Sequence, residues 1–588
     1  GRYQIELGTK GNNLSASVKK QIEDCNLTGI EFVESNSRYY PLGDFCSYVV
    51  GYAKSYNDQS VKKMVGEMGL ELSYDKQLKG KNGYKVYQTD ANGYALVDGT
   101  LREKDPTNGN DLYLTIDSGL QRNLDYLMSN AYSESGAEVV TAGVMEIKTG
   151  KILAMSTYPS FNPNERNIST FNNYFLEGTI ECGSVFKPFI YADSIEEGKY
   201  DHSAYYNSGS YNVYYGNKLV ATIKDHNGGQ GWGTITYDQG LYHSSNVAIC
   251  NLLDQGYVTK DVLTEKLNDL GFFQGDIMDG LTCSSSINAY TRKNAGRLEY
   301  LTTGFGQGST VTPYQLLKAY SVFGNDGKTV QPHIVDKVVN PETNKVVYQA
   351  TPKYSKQIFS TNTISQVKDL MLGVIEDEQG TGKTYRLDND VRMIGKTGTG
   401  QVVENGGYST TLYMHSFVGI APYDDPQVVM FLTFKSGDSY AQYMPNIVKQ
   451  TMNEALQVVN RYNAKNTTAV DQSYTLDSYT NQSVNYVKSK LESKSLSVQI
   501  IGNGSSVIEQ YPLAKSKVTS GDKVFIKTEG KDITLPNLIG WSKKEVQTYA
   551  SLAGIQLTID GTSGHVTAQS VGENTVVHSG DNLTVAIS

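Results

Sequence analysis

Three short polar motifs in this chain make one active site only if the fold brings them together, and that requirement constrains the chain more than anything else in it. Ser184-Val185-Phe186-Lys187 comes first, Ser244-Ser245-Asn246 begins 60 residues later, and Lys396-Thr397-Gly398-Thr399 begins 152 residues after that. Each is common alone. Ser-x-x-Lys occurs by chance on helix surfaces, Ser-Ser-Asn is an ordinary turn or N-cap, and Lys-Thr-Gly-Thr suits any solvated edge strand. In this order they describe one site with a serine nucleophile, a lysine beside it, a polar bridge and an oxyanion-binding strand, the parts of an acyl transferase.

The spacings carry the chemistry. A Ser and a Lys three apart share one helical face. Gly183 before Ser184 and Phe189-Ile190 after it predict a helix whose first turn carries the serine. Unpaired N–H groups and a partial positive charge at that end favour a developing oxyanion. Ser184 needs an adjacent base. Lys187, one turn in, can reach its hydroxyl, and burial or a nearby cation such as Lys396 would depress the amine so that it can serve. Ser244 offers a hydroxyl to pass a proton toward a leaving amine, and Asn246 an amide to bind a substrate amide. Met393 to Val403 reads as a strand in which Gly398 permits another backbone to approach closely. A peptide substrate would pair with its edge, with Lys396 and the Thr397 and Thr399 hydroxyls holding a carboxylate.

Other patterns do not make sites. Gln379-Gly380-Thr381-Gly382-Lys383-Thr384 hints at a phosphate loop, but Asp377 stands where a glycine is required. Gly304-Phe305-Gly306-Gln307-Gly308 lacks dinucleotide spacing. The seven His residues show no ligand pattern, and His226 and His243 read as structural. The five cysteines, Cys25, Cys46, Cys182, Cys250 and Cys283, form no Cys-x-x-Cys pair and no Cys/His cluster, so neither a metal nor a cofactor is expected. They read as buried packing residues, and the odd count leaves at least one thiol free or paired between chains.

With 588 residues the chain is too long for a single core, and roughly three to five domains are expected. A charged fraction of 19% and a hydrophobic fraction of 39% fit globular domains. The net charge of −9, without a dense Lys/Arg block, argues against nucleic acid and against a polybasic membrane patch. Mean hydropathy is −0.40. No apolar run of about 18 residues or more predicts a membrane span, and no signal peptide is visible. Because the chain opens at Gly1-Arg2-Tyr3-Gln4 without Met, it reads as a fragment.

Residues 1–108 read as β-rich with irregular loops, including a strand at Tyr84-Lys85-Val86-Tyr87. A mixed α/β region covers 109–462. In it, Asp111 to Ile116 is a strand, Asp117 and Ser118 cap a helix through Leu120, Leu124 and Leu127, and a glycine hairpin spans Lys148-Thr149-Gly150-Lys151. Residues 463–473 read as a linker. The tail repeats at an offset of 59: Ser520-Gly521-Asp522 recurs as Ser579-Gly580-Asp581, each followed by an alternating strand, and Ser483 matches Ser542 at the head of a helix. Two modules, 474–530 and 531–588, each of one helix and a small sheet, fit this.

The three motifs resemble those of the penicillin-binding proteins, the D,D-transpeptidases that cross-link bacterial peptidoglycan. Arg38-Tyr39-Tyr40-Pro41, Val50-Gly51-Tyr52, Gly69-Leu70-Glu71 and Leu78-Lys79-Gly80 resemble the N-terminal pedestal of the class B, monofunctional members. Phe305-Gly306-Gln307-Gly308, Val311-Thr312-Pro313, Asn325-Asp326-Gly327 and Phe417 to Pro422 are similar to segments around the third motif. Leu535-Pro536-Asn537-Leu538-Ile539-Gly540 resembles the signature of PASTA modules. The first copy departs from it, with Asp477-Ser478 for Pro536-Asn537 and Asn481 for Gly540.

The resemblance implies a multidomain α/β and α+β architecture: a partial β-rich pedestal, a transpeptidase domain of an antiparallel sheet covered by helices, and two small α+β PASTA modules. It implies that Ser184, activated by Lys187, attacks the penultimate D-Ala of a stem peptide while Ser184 and Thr399 N–H groups hold the oxyanion. Ser244 and Lys396 would protonate the departing D-Ala, with Asn246, Ser245, Thr397 and Gly398 completing the site. β-Lactams would acylate Ser184. A division-type enzyme of Gram-positive organisms is implied, on the extracytoplasmic face of the membrane behind an N-terminal anchor absent from this chain, with a membrane glycosyltransferase and division proteins as partners. A serine β-lactamase shares the motifs, but Thr264 stands where its deacylating Glu belongs; a non-catalytic sensor is the other alternative. The family usually reads Glu-Pro-Gly-Ser, whereas this chain has Glu181-Cys182-Gly183-Ser184. Losing proline frees the backbone there and sets a thiol beside the site. Cys182 is read as packing, with Cys250 as a candidate neighbour.

Overall fold

Asp117 does begin a helix. Helix α1 runs Ser118–Ser135, its first N–H groups at Gly119 and Leu120 donating to the Asp117 carboxylate, and Leu120, Leu124 and Leu127 line its buried face. The glycine hairpin then joins β1 (Val139–Glu146) to β2 (Ile152–Tyr158). The structure is a computed structural model. It describes the chain apart from residues 1–4, 6–10, 12–13, 15, 33–37, 59–60, 92–94, 388–389, 405, 438–439, 441, 467–473, 493, 495, 519–521, 562–564 and 588.

Three later strands complete the sheet: β3 (Ile394–Glu404), β4 (Gly407–Ala421) and β5 (Val428–Ser436). The order is β3-β4-β5-β1-β2, antiparallel throughout, which leaves β3 at an edge. Alternation along β5 sorts the core into two layers. Val428, Met430, Leu432 and Phe434 pack with α1 and the long helix Met444–Asn466, while Val429 and Phe431 face the other side.

On that second side lies helix α2 (Lys187–Glu196), buried from Lys187 through Ile195. Phe189, Ile190, Tyr191 and Ala192, consecutive on the helix, present apolar surface on every side and need cover on every side. Phe186 and Phe189 mesh with Phe272, Tyr320 and Phe323 at centroid distances of 5.0–5.9 Å, and each such ring contributes about 1.5–3 kcal/mol by burial. Helices α3 (Asn246–Asp254) and α4 (Thr361–Glu376) pack against α2, and α4 also against β3.

The N-terminal region combines helices, including Ala16–Asp24 and Gly69–Ser73, with two hairpins, Tyr52–Asp58 with Val61–Met68 and Tyr84–Thr89 with Ala95–Lys104. Its pedestal segments meet. The Arg38 guanidinium forks onto the Glu71 carboxylate at 2.7 and 2.9 Å, and Ala53 N–H donates to Tyr40 Oη at 2.7 Å. Cys46, Val49 and Leu70 belong to the same core as α2.

The linker reading needs a correction at its start. The long helix Met444–Asn466 continues past residue 463; a polar composition does not stop a helix already nucleated. The remainder of that stretch, 467–473, lies outside the described residues, as does part of the Ser520-Gly521-Asp522 repeat unit. The two tail modules share one plan. Gln510 accepts from Tyr479 N–H at 2.7 Å, and Gln569, 59 residues on, accepts from Leu538 N–H at 2.7 Å. Asn481, at φ +64°, takes the left-handed position that Gly540 takes at φ +81°, a conformation asparagine tolerates best after glycine. Ile501 and Phe525 of the first module join the core of the second around Trp541 and Tyr549.

Candidate active site

Ser184 sits in a 3-10 turn, Gly183–Phe186, that runs directly into α2 at Lys187. Glycines on three segments bring this turn against β3. Gly183 has φ +61°, and a Cβ there would lie 2.5 Å from the Thr399 carbonyl carbon and 2.9 Å from Gly400 N. A Cβ on Gly398 would lie 2.7 Å from Cys182 O. The close backbone approach expected at Gly398 is therefore made by the turn that carries Ser184. Gly306, at φ +77°, accepts from Gly183 N–H at 3.0 Å and pins the turn from a third side.

Lys187 is fully buried, and its Nζ donates to Ser244 O at 2.5 Å and to Ser244 Oγ at 3.4 Å. Lys396, also fully buried, donates from Nζ to Ser244 Oγ at 2.8 Å and to Thr397 O at 3.0 Å. One serine thus accepts from two amines. It does so in the left-handed conformation, φ +58°, which turns its carbonyl and hydroxyl to the same cluster at the cost of about 1–2 kcal/mol of strain. Burial drives the Lys187 amine down to about 7, opposed by the negative charge of Asp225. Burial also drives Lys396 well down, and repulsion from Lys187 adds to it. Among the described residues no hydrogen bond joins Ser184 Oγ to Lys187 Nζ; the expected reach from amine to hydroxyl is taken up by Ser244.

The remaining candidate residues divide. Asn246 Nδ2 donates to Lys224 O at 2.9 Å. Thr397 is half-buried and donates to Thr381 Oγ1 at 2.9 Å, whereas Thr399 is exposed. Ser245, expected to line the substrate site, is fully buried instead. Its hydroxyl accepts from Ala248 N–H at 3.0 Å, capping α3, and donates to Asp225 at 2.9 Å. A helix start needs an acceptor for its free N–H groups, and Ser245 supplies one here.

Two residues at the site lie outside the three motifs. Asp225 belongs to no motif. Thr381 lies in the stretch dismissed as a phosphate loop, which folds back so that Thr381 N–H donates to Tyr242 O at 3.1 Å. His243 stacks on Trp232, 4.6 Å between centroids and 9° between planes, and His226 sits 2.9 Å from His243 O through Nε2. Burial holds both imidazoles below their ordinary range, which agrees with a structural reading. All five cysteines are free thiols, and only Cys25 is exposed. Cys182 is 1% exposed and burial pushes its thiol up; Cys250 lies near Lys187, and its thiol is likewise raised by burial.

The edge strand bearing Lys396-Thr397-Gly398 thus lies against the Ser184 turn that leads into a buried helix. Residues 140–457 match the penicillin binding protein transpeptidase domain, 1–114 the penicillin-binding protein dimerisation domain, and 474–530 and 533–588 each a PASTA domain. Stage V sporulation protein D of Bacillus subtilis is 30% identical over 547 residues, 90% of this chain and 81% of that protein. A peptidoglycan D,D-transpeptidase FtsI homolog of Mesostigma viride is 28% identical over 70% of each chain. The crystal structure of penicillin binding protein 2X from Streptococcus thermophilus superimposes with a TM-score of 0.68 at 25% identity, over 100% of this chain and 89% of that one. The chain belongs to the class B penicillin-binding proteins, with a dimerisation domain, a transpeptidase domain and two PASTA modules.

Proposed function

We propose that this protein is a peptidoglycan D,D-transpeptidase working through a Ser184 acyl-enzyme. One observation carries the reading: two buried amines, Lys187 and Lys396, converge on Ser244 beside the Ser184 turn and the free edge of β3. A stem peptide adds to that edge. Ser184 Oγ attacks the penultimate D-Ala carbonyl and gives its proton to the neutral Lys187 amine. N–H groups of Ser184 and Thr399 hold the oxyanion. As the tetrahedral intermediate collapses, the C–N bond breaks and the proton passes through Ser244 and Lys396 to the departing D-Ala. Thr397 and Thr399 hold the terminal carboxylate, and Gly398 keeps the turn close to the strand. An amine of a neighbouring stem peptide then takes the acyl group and frees Ser184. β-Lactams mimic D-Ala-D-Ala and leave a slowly released acyl-serine.

This substrate places the enzyme on the extracytoplasmic face of the membrane. A glycosyltransferase that makes the glycan is a partner, together with division proteins. Intact mass followed over time after penicillin exposure, with mapping of the adduct, tests the chemistry. A stable single adduct on Ser184, absent in Ser184→Ala, is expected. Labelling of Ser184→Ala refutes the nucleophile; rapid loss of the adduct means a β-lactamase; and no turnover of a D-Ala-D-Ala thioester means a sensor.

A further inference from the structure

Asp225 directly follows a hairpin, Ser210–Tyr215 with Lys218–Lys224, that has no part in the three motifs. It is 2% exposed, and its carboxylate is fully engaged. Oδ1 accepts from Ser245 Oγ at 2.9 Å, Asn246 N–H at 2.7 Å and Val247 N–H at 3.1 Å. Oδ2 accepts from Gly209 N–H at 2.8 Å. The main chain around it is anchored too: Asp225 N–H donates to Gly209 O at 2.9 Å, and Gly229 N–H donates to Asp225 O at 3.1 Å. The residue before it supplies the carbonyl, Lys224 O, that holds the Asn246 amide.

Three of these bonds fall on the residues just after Ser244. Ser244 is the only member of the site held in left-handed backbone other than glycine, a conformation that persists only when the surroundings over-determine it. A negative charge at the first N–H groups of α3 also complements the helix dipole. The carboxylate is therefore placed both to lock the peptide that follows Ser244 and to act on the buried Lys187 amine by charge.

We propose that Asp225 is the positioning residue of the Ser244-Ser245-Asn246 motif, holding Ser244 in the conformation that serves both Lys187 and Lys396 and keeping a negative charge close to Lys187. It touches neither substrate nor Ser184; it acts through the motif. This rests on the transpeptidase reading above. The groups facing Lys187 are Ser244, Lys396, Asp225, Cys250 and His226. Of these Asp225 is the one that raises the amine most. Its removal lets Lys187 lose its proton at lower pH, so the acid limb of the acylation profile moves down.

The test is the second-order rate of acylation by a fluorescent penicillin across pH, on the whole chain, with a melting curve for each variant. Asp225→Asn keeps the size and removes the charge, and its amide opposes Gly209 N–H. It is expected to lower the plateau rate about tenfold to a hundredfold, the loss of one or more charge-assisted bonds, and to move the acid limb to lower pH. Ser245→Ala removes one Asp225 contact and keeps the charge. It is expected to lower the rate severalfold and leave the limb in place. A purely structural residue would lower the active fraction equally at every pH, in step with the melt. That outcome, or wild-type rate and profile in Asp225→Asn, overturns the proposal. Should Asp225→Asn not fold, an unchanged rate in Ser245→Ala overturns it alone. Labelling of Ser184→Ala in the same assay would instead bring down the transpeptidase reading.

Discussion

Replacing Gly183 by alanine separates the geometry of the nucleophile from the stability of the fold. Two penalties are expected. Gly183 has φ +61°, and a non-glycine residue there costs about 1–2 kcal/mol, offset by about 0.4–1 kcal/mol from a less flexible unfolded chain. The second is steric. The new Cβ would lie 2.5 Å from the Thr399 carbonyl carbon, whereas ordinary contact begins at 3.4 Å. The Ser184 turn has to move away from β3 by about 1 Å, a misplacement worth about a hundredfold in rate.

Gly198→Ala is the control. Gly198 is equally left-handed, φ +66°, and its Cβ would meet nothing within 4 Å. Both variants should therefore melt lower, by about 2–4 °C for each kcal/mol lost. Only Gly183→Ala should acylate slowly. The assay is the second-order rate of fluorescent penicillin labelling beside a thermal melt. Equal acylation rates for the two variants would refute the claim that the 183–399 contact sets the position of the nucleophile.

Two further outcomes follow from burial. With the Lys187 amine near 7, acylation should rise about tenfold per pH unit below that value and level off above it, and Lys187→Met should abolish the rise along with most of the rate. The same depression means that the unfolded chain carries the extra proton from about pH 7 to about pH 10, so stability increases with pH across that window; denaturant melts of wild type and Lys187→Met at pH 7 and pH 9 should diverge, and parallel curves would count against a neutral Lys187. Cys182 already has φ −79°, within the range proline imposes. Cys182→Pro should retain acylation and gain about 0.4–1 kcal/mol, while thiol reagents on the native protein should modify exposed Cys25 and leave Cys182 untouched; loss of folding in Cys182→Pro, or rapid labelling of Cys182, would contradict the packing assignment.

The elements that sequence reads well here are those fixed by local chemistry. Asp117 caps its helix, Gly150 turns its hairpin, and the period of 59 in the tail yields two modules built on Gln510 and Gln569. The three motifs lie together, with Lys187 and Lys396 meeting at Ser244, and their order and residue types are visible in the chain. What a linear reading misses is the division of labour inside a motif. Ser245 looks like a substrate residue beside Ser244 and Asn246, yet it caps α3. Thr381 looks like part of a failed phosphate loop, yet it meets Thr397.

The deeper miss is conformational. Ser-Ser-Asn reads as a turn, and nothing in three letters says that its first serine is left-handed or that this lets one residue accept from two lysines. The stabilising group is a carboxylate 19 residues upstream, at the end of a hairpin whose exposed strands carry no pattern of chemistry. Propensity cannot foresee it, because the strain at Ser244 is local while the bonds that hold it come from a distant segment. Buried amines make such a support necessary. Two desolvated lysines a few ångströms apart repel whenever both are charged, and an acceptor fixed between them, Ser244, offsets part of that cost. On the transpeptidase reading proposed above, the left-handed Ser244, followed by residues bonded to Asp225, is that acceptor, and it lets one amine serve as base and the other as proton donor.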